Sequence, residues 1–515
     1  MSWVRPSARR WGSLTCGKPV AEGLGRWTPW GLLRALLAME PDAILDLVSR
    51  LSALQWTRWT GAREVARARD ERLAALVRFA RERSALYRER LSGVPEDAPL
   101  ERLPILTKRE AMARFDEWVT DPEATRARIA GFLADRSRIG ERFLGRYAAW
   151  KSSGTSGEAG FFLHDESAIA TYHALIASRL QSPDASLAWG FGLVAHGGRR
   201  ALVAATGEHF AGLVTWRALS QLAPAGDSCE LSILRPVDEW VERLNAFQPA
   251  FLAGYPTALR LLAAEQASHR LAISPSILWS GGERLTPVAR REIERAFGGL
   301  VIDEYGSSEC LSIAASCPHG WLHLHADWVI LEPVDAQHRP VAPGTLSHTA
   351  LLTNLANRVQ PILRYDIGDR VVVKPDPCAC GSCLPALAVH GRADDVVTFD
   401  RPDGARVSLL PLALATAVEE GAGVHLFQLV RRSSDTLAVR LPDDPPRERR
   451  AHWRAVRIAL SELLAAHGLS NVDVVLDPMP PVIDPSSGKL REVIMPTRDM
   501  AARVSVQERG AAGQS

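Results

Sequence analysis

The amino-acid sequence predicts an α/β protein: a large N-terminal α/β domain with a distal β subdomain, followed by a small C-terminal α+β domain. Three observations carry this prediction. The chain has 515 residues, too many for one compact core. From Trp150 onward, short apolar runs alternate with helical patterns, the signature of a parallel or mixed sheet covered on both faces. Beyond Gly391-Arg392 the pattern changes to a hairpin, a helix and a further strand. Residues 1–100 read as an N-terminal tail and helical segment, 101–392 as the large domain and 393–515 as the small one.

The elements follow in order. Pro41 to Arg90 is helical, because Leu45, Leu47, Val48, Leu51 and Leu54 recur at helical spacing, as do Leu73, Leu76, Val77 and Phe79. Pro95 to Pro104 is a loop. Thr107 is placed to cap the next helix, with Glu110 completing a capping box. Strands are expected at Phe191–Val194, Ala201–Ala204, Phe251–Gly254, Ile277–Ser280 and Leu300–Asp303, with helices at Trp240–Phe247 and Pro256–Ala267. Val329–Val334 and Val371–Val373 read as antiparallel strands of the distal subdomain. In the small domain, His425–Val430 and Thr436–Arg440 form a hairpin-like pair, Arg450–His467 a helix and Val472–Leu476 a strand.

Composition narrows the function classes. The 61 basic and 59 acidic residues leave a formal charge of +2, so the surface gives no reason to expect nucleic acid or an acidic membrane as partner. No apolar run is long enough to span a bilayer; Trp30 to Met39 is short and Arg34 interrupts it. Arg5, Arg9 and Arg10 are not followed by a continuous apolar stretch of the kind a secretion signal needs, so a cytoplasmic location is the expectation. The first 20–25 or so residues read as a disordered tail or an upstream start. Seven cysteines without a secretion signal argue against disulfides.

Several motifs carry chemistry. Ser152-Ser153-Gly154-Thr155-Ser156-Gly157 is a loop whose glycines let backbone N–H groups converge on an anion while hydroxyls add donors. It is not a Walker A loop, since no Gly-Lys-Ser/Thr follows. Trp279-Ser280-Gly281-Gly282-Glu283 ends a strand, where ligands bind in open α/β sheets. In Asp303-Glu304-Tyr305-Gly306-Ser307-Ser308-Glu309, Tyr305 offers a flat face for a base and Glu309 a hard oxygen for Mg²⁺. Asp369, ending Arg364-Tyr365-Asp366-Ile367-Gly368-Asp369, can accept from two vicinal hydroxyls. Lys489, in Ser487-Gly488-Lys489-Leu490-Arg491, lies on a Pro/Ser/Gly-rich loop and can neutralise charge that builds in a transition state. Cys317, His323, Cys378 and Cys380 have the donor types and paired arrangement of a tetrahedral Zn²⁺ site, with Cys383 and His325 as alternates. The competing reading is reduced, buried thiols. His196, His209 and Phe210 are candidates for lining a substrate pocket.

In this order, with Gly391-Arg392-Ala393-Asp394-Asp395, these motifs resemble those of the adenylate-forming superfamily: acyl- and aryl-CoA ligases, luciferase and peptide-synthetase adenylation domains. The similarity covers roughly Leu103 to Ile494. Leu103-Pro-Ile-Leu-Thr-Lys108 and the Cys-x-Cys-Gly segment are similar to the phenylacetate–CoA ligase branch and its capsular-polysaccharide relatives. The resemblance implies activation of a carboxylic acid, an aromatic one being a candidate, by ATP and Mg²⁺ to an acyl-adenylate. Transfer to CoA, or to an amine, a hydroxyl or a carrier-protein thiol, would follow. It further implies adenine flanked by Gly281, Gly282 and Glu283, ribose on Asp369, a nucleotide contact from Arg392, a hinge at Asp394, catalytic roles for Lys489 and Glu309, and a C-terminal domain that acts as a mobile lid. Ser308 stands where the family has Thr. Glu158-Ala159 replaces the family's Lys-Pro after the glycine loop, which removes a cation expected beside the phosphates and is the one hint of a degenerate, non-catalytic scaffold.

Overall fold

The computed structural model describes residues 41–152, 160–178, 183–220, 228–390, 397–424, 426–443, 445–482 and 492–494. The helices Pro41–Thr60, Ala62–Arg83 and Ala85–Arg90 form the expected N-terminal helical segment. Thr107 caps its helix by accepting from the Glu110 N–H at 3.3 Å. The capping box is incomplete, because the Glu110 carboxylate pairs with Arg90 instead.

A hairpin of β1 (Ala148–Lys151) and β2 (Phe161–His164) comes next. The principal sheet has nine strands. Five are parallel neighbours: β3 (Arg200–Ala204), β4 (Ser228–Ser232), β5 (Phe251–Gly254), β6 (Ile277–Gly281) and β7 (Leu300–Tyr305). From β7 the sheet continues antiparallel through β8 (Ala314–Ser316) and β9 (Leu322–Leu324). A three-stranded sheet holds β10 (Val329–Val334), β11 (Thr349–Asn354) and β12 (Ile362–Asp366). The chain then re-enters the principal sheet with β13 (Val371–Val373) and β14 (Ala386–Val389), the latter beside β9. Val371–Val373 is thus a strand of the principal sheet, whereas Val329–Val334 belongs to the separate antiparallel one. The third departure is Phe191–Val194, which lies inside the helix Pro183–His196. An isolated apolar run does not separate strand from buried helix by its pattern.

Two hydrophobic clusters cover the principal sheet. One packs Leu252, Leu278 and Val301 of the strands against Trp240, Leu259, Leu262 and Ile293 of the helices. Full burial of such side chains stabilises by roughly 1.5–3 kcal/mol each, which fixes the sheet as the rigid base of the molecule. The larger cluster joins the N-terminal helices, the hairpin and the distal strands. Its polar anchor is Arg364, held by Glu332 at 2.9 Å and by the carbonyls of Glu101 and Leu103 at 2.8 Å each. Leu106 N–H donates to the Arg364 carbonyl at 3.1 Å and its own carbonyl accepts from Asp366 N–H at 3.0 Å. The segment Leu103–Lys108 is thereby strapped along β12.

Beyond residue 396 a third cluster gathers Phe399, Leu414, Val418, Phe427, Leu437, Val456 and Leu460. It is built from the hairpin β15 (Val397–Asp400) and β16 (Arg406–Leu409), the helices Pro411–Ala422 and Pro446–Ala466, and a four-stranded sheet. That sheet contains β17 (Gln428–Arg431), β18 (Thr436–Arg440), β19 (Asp473–Leu476) and β20 (Val493–Ile494). Leu410 and Ala413 instead join the core of the principal sheet, so the helix Pro411–Ala422 packs on both bodies. Among the described residues, no helix is long and apolar enough to cross a membrane.

Candidate active site at the carboxyl ends of the strands

The carboxyl ends of β6 and β7 lie side by side, with Gly281 paired to Glu304. Gly282 turns the chain away at φ 81°, and the edge of the Tyr255 ring lies 2.9 Å from where a β-carbon would stand. Only glycine fits that combination. Glu283 points back into the fold and accepts from Thr257 N–H at 3.2 Å and its hydroxyl at 2.6 Å, tying β6 to the helix Pro256–Ala267.

Tyr305 ends β7, and its hydroxyl donates to Asp369 Oδ2 at 2.8 Å. The residue expected to face a base and the carboxylate expected to meet a ribose are therefore joined, although 64 residues separate them. Burial raises the Tyr305 phenol well above its usual range, and the Asp369 carboxylate adds to the rise. The phenol stays a donor. Gly306 follows, and any β-carbon there would collide with the Leu311 carbonyl, so the turn toward Glu309 closes only around glycine.

The backbone of that turn is clamped from the hairpin. The Ser308 carbonyl accepts from Trp150 Nε1 at 2.8 Å and from His164 Nε2 at 3.1 Å. Burial pushes His164 down to about 3, so the ring is neutral. Since Ser308 offers only an acceptor, Nε2 carries the proton and Nδ1 accepts from the Tyr172 hydroxyl at 3.1 Å. Asn354 Nδ2 donates to that hydroxyl at 2.6 Å and to the Glu309 carbonyl at 2.9 Å. These supporting residues left no motif in the sequence.

Burial raises the Glu309 carboxyl above its usual range, while Ser307 and the charge of Lys108 pull it back. A buried acid of this kind suits a cation, because a cation removes the cost of ionising it. Lys108 comes from the strap along β12, and its Cε lies 3.1 Å from a β-carbon position at Gly160. It therefore stands at the exit of the glycine loop. That loop is closed by reciprocal bonds, Ser152 N–H to the Gly160 carbonyl and Gly160 N–H to Ser152 Oγ, both 2.9 Å. Ser153, Gly154, Thr155, Ser156 and Gly157 lie outside the described residues, as do Arg392, Asp394 and Lys489. His209 is buried against the Phe132 ring, with centroids 5.4 Å apart.

The structure brings Cys317, His323, Cys378 and Cys380 together, with one ligand atom from each and all within 4.8 Å of one another. Two turns present them. Gly320 and Gly381, at φ 77° and 79°, let the chain curl back so that their N–H groups meet the carbonyls of Cys317 and Cys378. Tetrahedral zinc with Zn–S of about 2.3 Å places two sulfurs about 3.8 Å apart. The Cys317 and Cys378 sulfurs are 3.8 Å apart. His323 Nδ1 donates to the Leu384 carbonyl at 2.9 Å, which leaves Nε2 turned toward Cys380 Sγ at 3.2 Å. That outer hydrogen bond is the usual way a protein sets the tautomer of a ligating histidine. The donor set fits zinc. His325, one of the alternates, is occupied elsewhere, with Nδ1 3.0 Å from Arg58 Nη2. Cys383 Sγ lies 3.3 Å from the Arg58 carbonyl.

Comparison with known proteins adds the fold's relatives. No family model matches the chain. Protein CapK of Staphylococcus aureus is 28% identical over 134 residues, a match that spans 26% of this chain and 28% of that protein. A structure of 2-hydroxyisobutyryl-CoA ligase with 2-HIB-AMP and CoA in the thioesterification state is 20% identical, with a TM-score of 0.52. That similarity covers 87% of this chain and 93% of the ligase.

The chain has the adenylate-forming fold.

The same ligase in an open conformation with both ligands aligns over 84% of this chain and 92% of its own, at 20% identity and a TM-score of 0.49. In the adenylate-forming fold of this chain, Tyr305, Glu309, Asp369 and Lys108 converge at the carboxyl ends of the principal strands, where open α/β sheets bind ligands.

Proposed function

We propose that this protein is an AMP-forming acid–thiol ligase. A carboxylate oxygen attacks the α-phosphorus of ATP, the bond to the β-phosphate breaks, and pyrophosphate leaves. The thiolate of CoA then attacks the acyl carbonyl and AMP leaves. The observation that carries this reading is the Tyr305–Asp369 pair beside Glu309, at the mouth of a glycine loop.

In this reading, Asp369 accepts from the ribose hydroxyls while Tyr305 holds its carboxylate in place and offers its ring to adenine. Gly281 and Gly282 bring backbone close to the base. N–H groups of Ser153 to Gly157 receive the phosphates, with Lys108 supplying the cation that Glu158-Ala159 lacks. Glu309 would hold Mg²⁺, and the ion would supply positive charge for the phosphates. Lys489 reaches the carboxylate and the α-phosphate together, and Arg392 adds a nucleotide contact. Residues 393–515 form the lid, which turns about Asp394 between the two half-reactions and is set on a large domain of residues 101–392. Cys317, His323, Cys378 and Cys380 would hold a structural Zn²⁺; with four protein ligands it would stabilise the fold and leave no open position for catalysis.

The test is acid-dependent pyrophosphate release over a panel of aryl, fatty and amino acids, with and without CoA. Lys489→Ala should lower release by about 10²-fold or more, the scale of one preorganised transition-state contact. Unchanged release in that variant sinks the assignment. AMP release that needs no CoA redirects the second step to an amine, a hydroxyl or a carrier-protein thiol.

A further inference from the structure

Glu420 lies on the helix Pro411–Ala422, which packs on both the principal sheet and the C-terminal body. Its carboxylate lies against Gly207, in the space a β-carbon there would take, so a side chain at residue 207 would push the flexible end of Glu420 aside. Around it stand Arg136, Lys151 and Glu208 from the large domain and Glu419 from its own helix. Tyr255, itself beside Gly282, also feels the Glu420 and Glu283 charges. His209 follows Glu208 in the chain, and His467 packs against Arg235 and Glu239 elsewhere on the domain contact. Neither cation pairs with the Glu420 carboxylate: Arg136 Nη2 pairs with Glu208 at 2.7 Å and also donates to the Glu420 backbone carbonyl at 3.4 Å, and Lys151 Nζ pairs with Glu208 at 2.9 Å. The Glu420 carboxylate receives only its neighbours' field, and its buried Oε1 has no hydrogen-bond partner among the described residues.

We propose that Glu420 is a positioning residue that latches the C-terminal domain onto the large domain at Gly207, and that ionisation of Glu420 opens the latch. The proposal rests on the two-orientation reading given above. Burying a neutral carboxyl on a bare glycine costs far less than burying a carboxylate without its own donor. Lys151 is the last residue before Ser152, so the same cluster touches the start of the glycine loop. Opening the latch is thereby mechanically adjacent to the site that must release pyrophosphate before the lid turns.

The direction of the pH effect follows. Burial raises the Glu420 carboxyl from 4.5 to about 7 when docked. The docked form binds the proton more tightly, so docking is strongest below the free value and weakens as pH rises toward the docked one. Within that window the docking equilibrium falls by about tenfold per pH unit, and above it the effect levels off.

The experiment uses the full chain with a fluorophore pair introduced as unnatural amino acids at Glu96 and Arg450, both exposed. Energy transfer between them is read from pH 5 to 8.5 without substrate. Wild type should shift from the docked to the undocked value across pH 5 to 7. Glu420→Gln, the same shape without the charge, should stay docked throughout. A flat wild-type profile overturns the latch, as does a Glu420→Gln profile that undocks over the same pH range as the wild type. Because the readout needs no turnover, an intact latch in a protein without acid-dependent pyrophosphate release counts against the proposed function alone. A flat profile in an active ligase counts against the latch alone.

Discussion

The Tyr305–Asp369 bond makes a prediction that separates positioning from binding. Tyr305→Phe deletes the hydroxyl that donates to Asp369 Oδ2 at 2.8 Å and leaves the ring in place. The carboxylate then loses this tether, and ATP must restore the order that the hydroxyl supplied. Immobilising one such side chain costs about 0.5–1.5 kcal/mol, so affinity should weaken about two- to tenfold. Asp369→Ala removes the acceptor itself. Losing hydrogen bonds to a charged group costs about 1.5–3 kcal/mol, or roughly one to two decades. If Tyr305 acts through Asp369, then Tyr305→Phe made in the Asp369→Ala background should cost nothing further, and the coupling should equal the whole Tyr305→Phe penalty. Titration calorimetry with a non-hydrolysable ATP analogue measures all four corners of that cycle. Equal Tyr305→Phe losses in both backgrounds would show that the hydroxyl works independently. Wild-type affinity in Asp369→Ala would mean the nucleotide lies elsewhere.

Three further outcomes follow from the geometry. Cys378→Ser should cost purified protein most of its zinc by elemental analysis and lower its melting temperature, with the wild type losing the same amount in a strong chelator; wild type purified without stoichiometric zinc would favour the buried-thiol alternative. Gly306→Ala forces the turn that carries Ser308 and Glu309 away from the Leu311 carbonyl, so it should raise the Mg²⁺ requirement far more than Gly212→Ala, where a β-carbon meets nothing within 4 Å. Asp303 is raised from 3.8 to about 6 by burial, and this raised acid destabilises the folded state once it must ionise. Its penalty is absent below 3.8, grows as pH rises through that window and is complete above about 6. Asp303→Asn, which can still accept from the Ser280 hydroxyl, should therefore gain about 1–3 kcal/mol in urea unfolding at pH 8 and nothing at pH 3.5. Equal gains at both pH values would refute the burial argument.

Much of the scaffold was legible because it is written in local chemistry. Phe251–Gly254 and Pro256–Ala267 were expected with the bounds found, since an apolar run, a glycine and an N-terminal proline mark a strand and then a helix. Phe191–Val194 was not, because Gly190 and Gly192 are poor helix formers that leave a short apolar run looking like a strand inside the continuous helix Pro183–His196. The residues of the candidate metal cluster could be picked out by type and pairing, and in the structure His323 rather than His325 stands with Cys317, Cys378 and Cys380. What sequence cannot carry is contact between distant segments. Lys108 reads as one lysine in a helix-opening segment until the strap along β12 delivers it beside Gly160 and Glu309. His164 and Asn354 likewise gain their meaning only from the Ser308 and Glu309 carbonyls they hold.

The strand order has a consequence for the metal cluster. Between β7, which ends in Tyr305, and β13, which begins just after Asp369, stand β8, β9 and β14. With strands about 4.8 Å apart, a flat sheet would put those two ends at least about 19 Å from each other. Their side chains nevertheless meet at 2.8 Å, so this half of the sheet is far from flat. His323 sits on β9, Cys317 follows β8, and Cys378 and Cys380 lead into β14. An ion there would tie β8, β9 and β14 together. Its removal would then be felt as a gap opening between phenol and carboxylate, on strands that carry none of the cluster's own sulfurs.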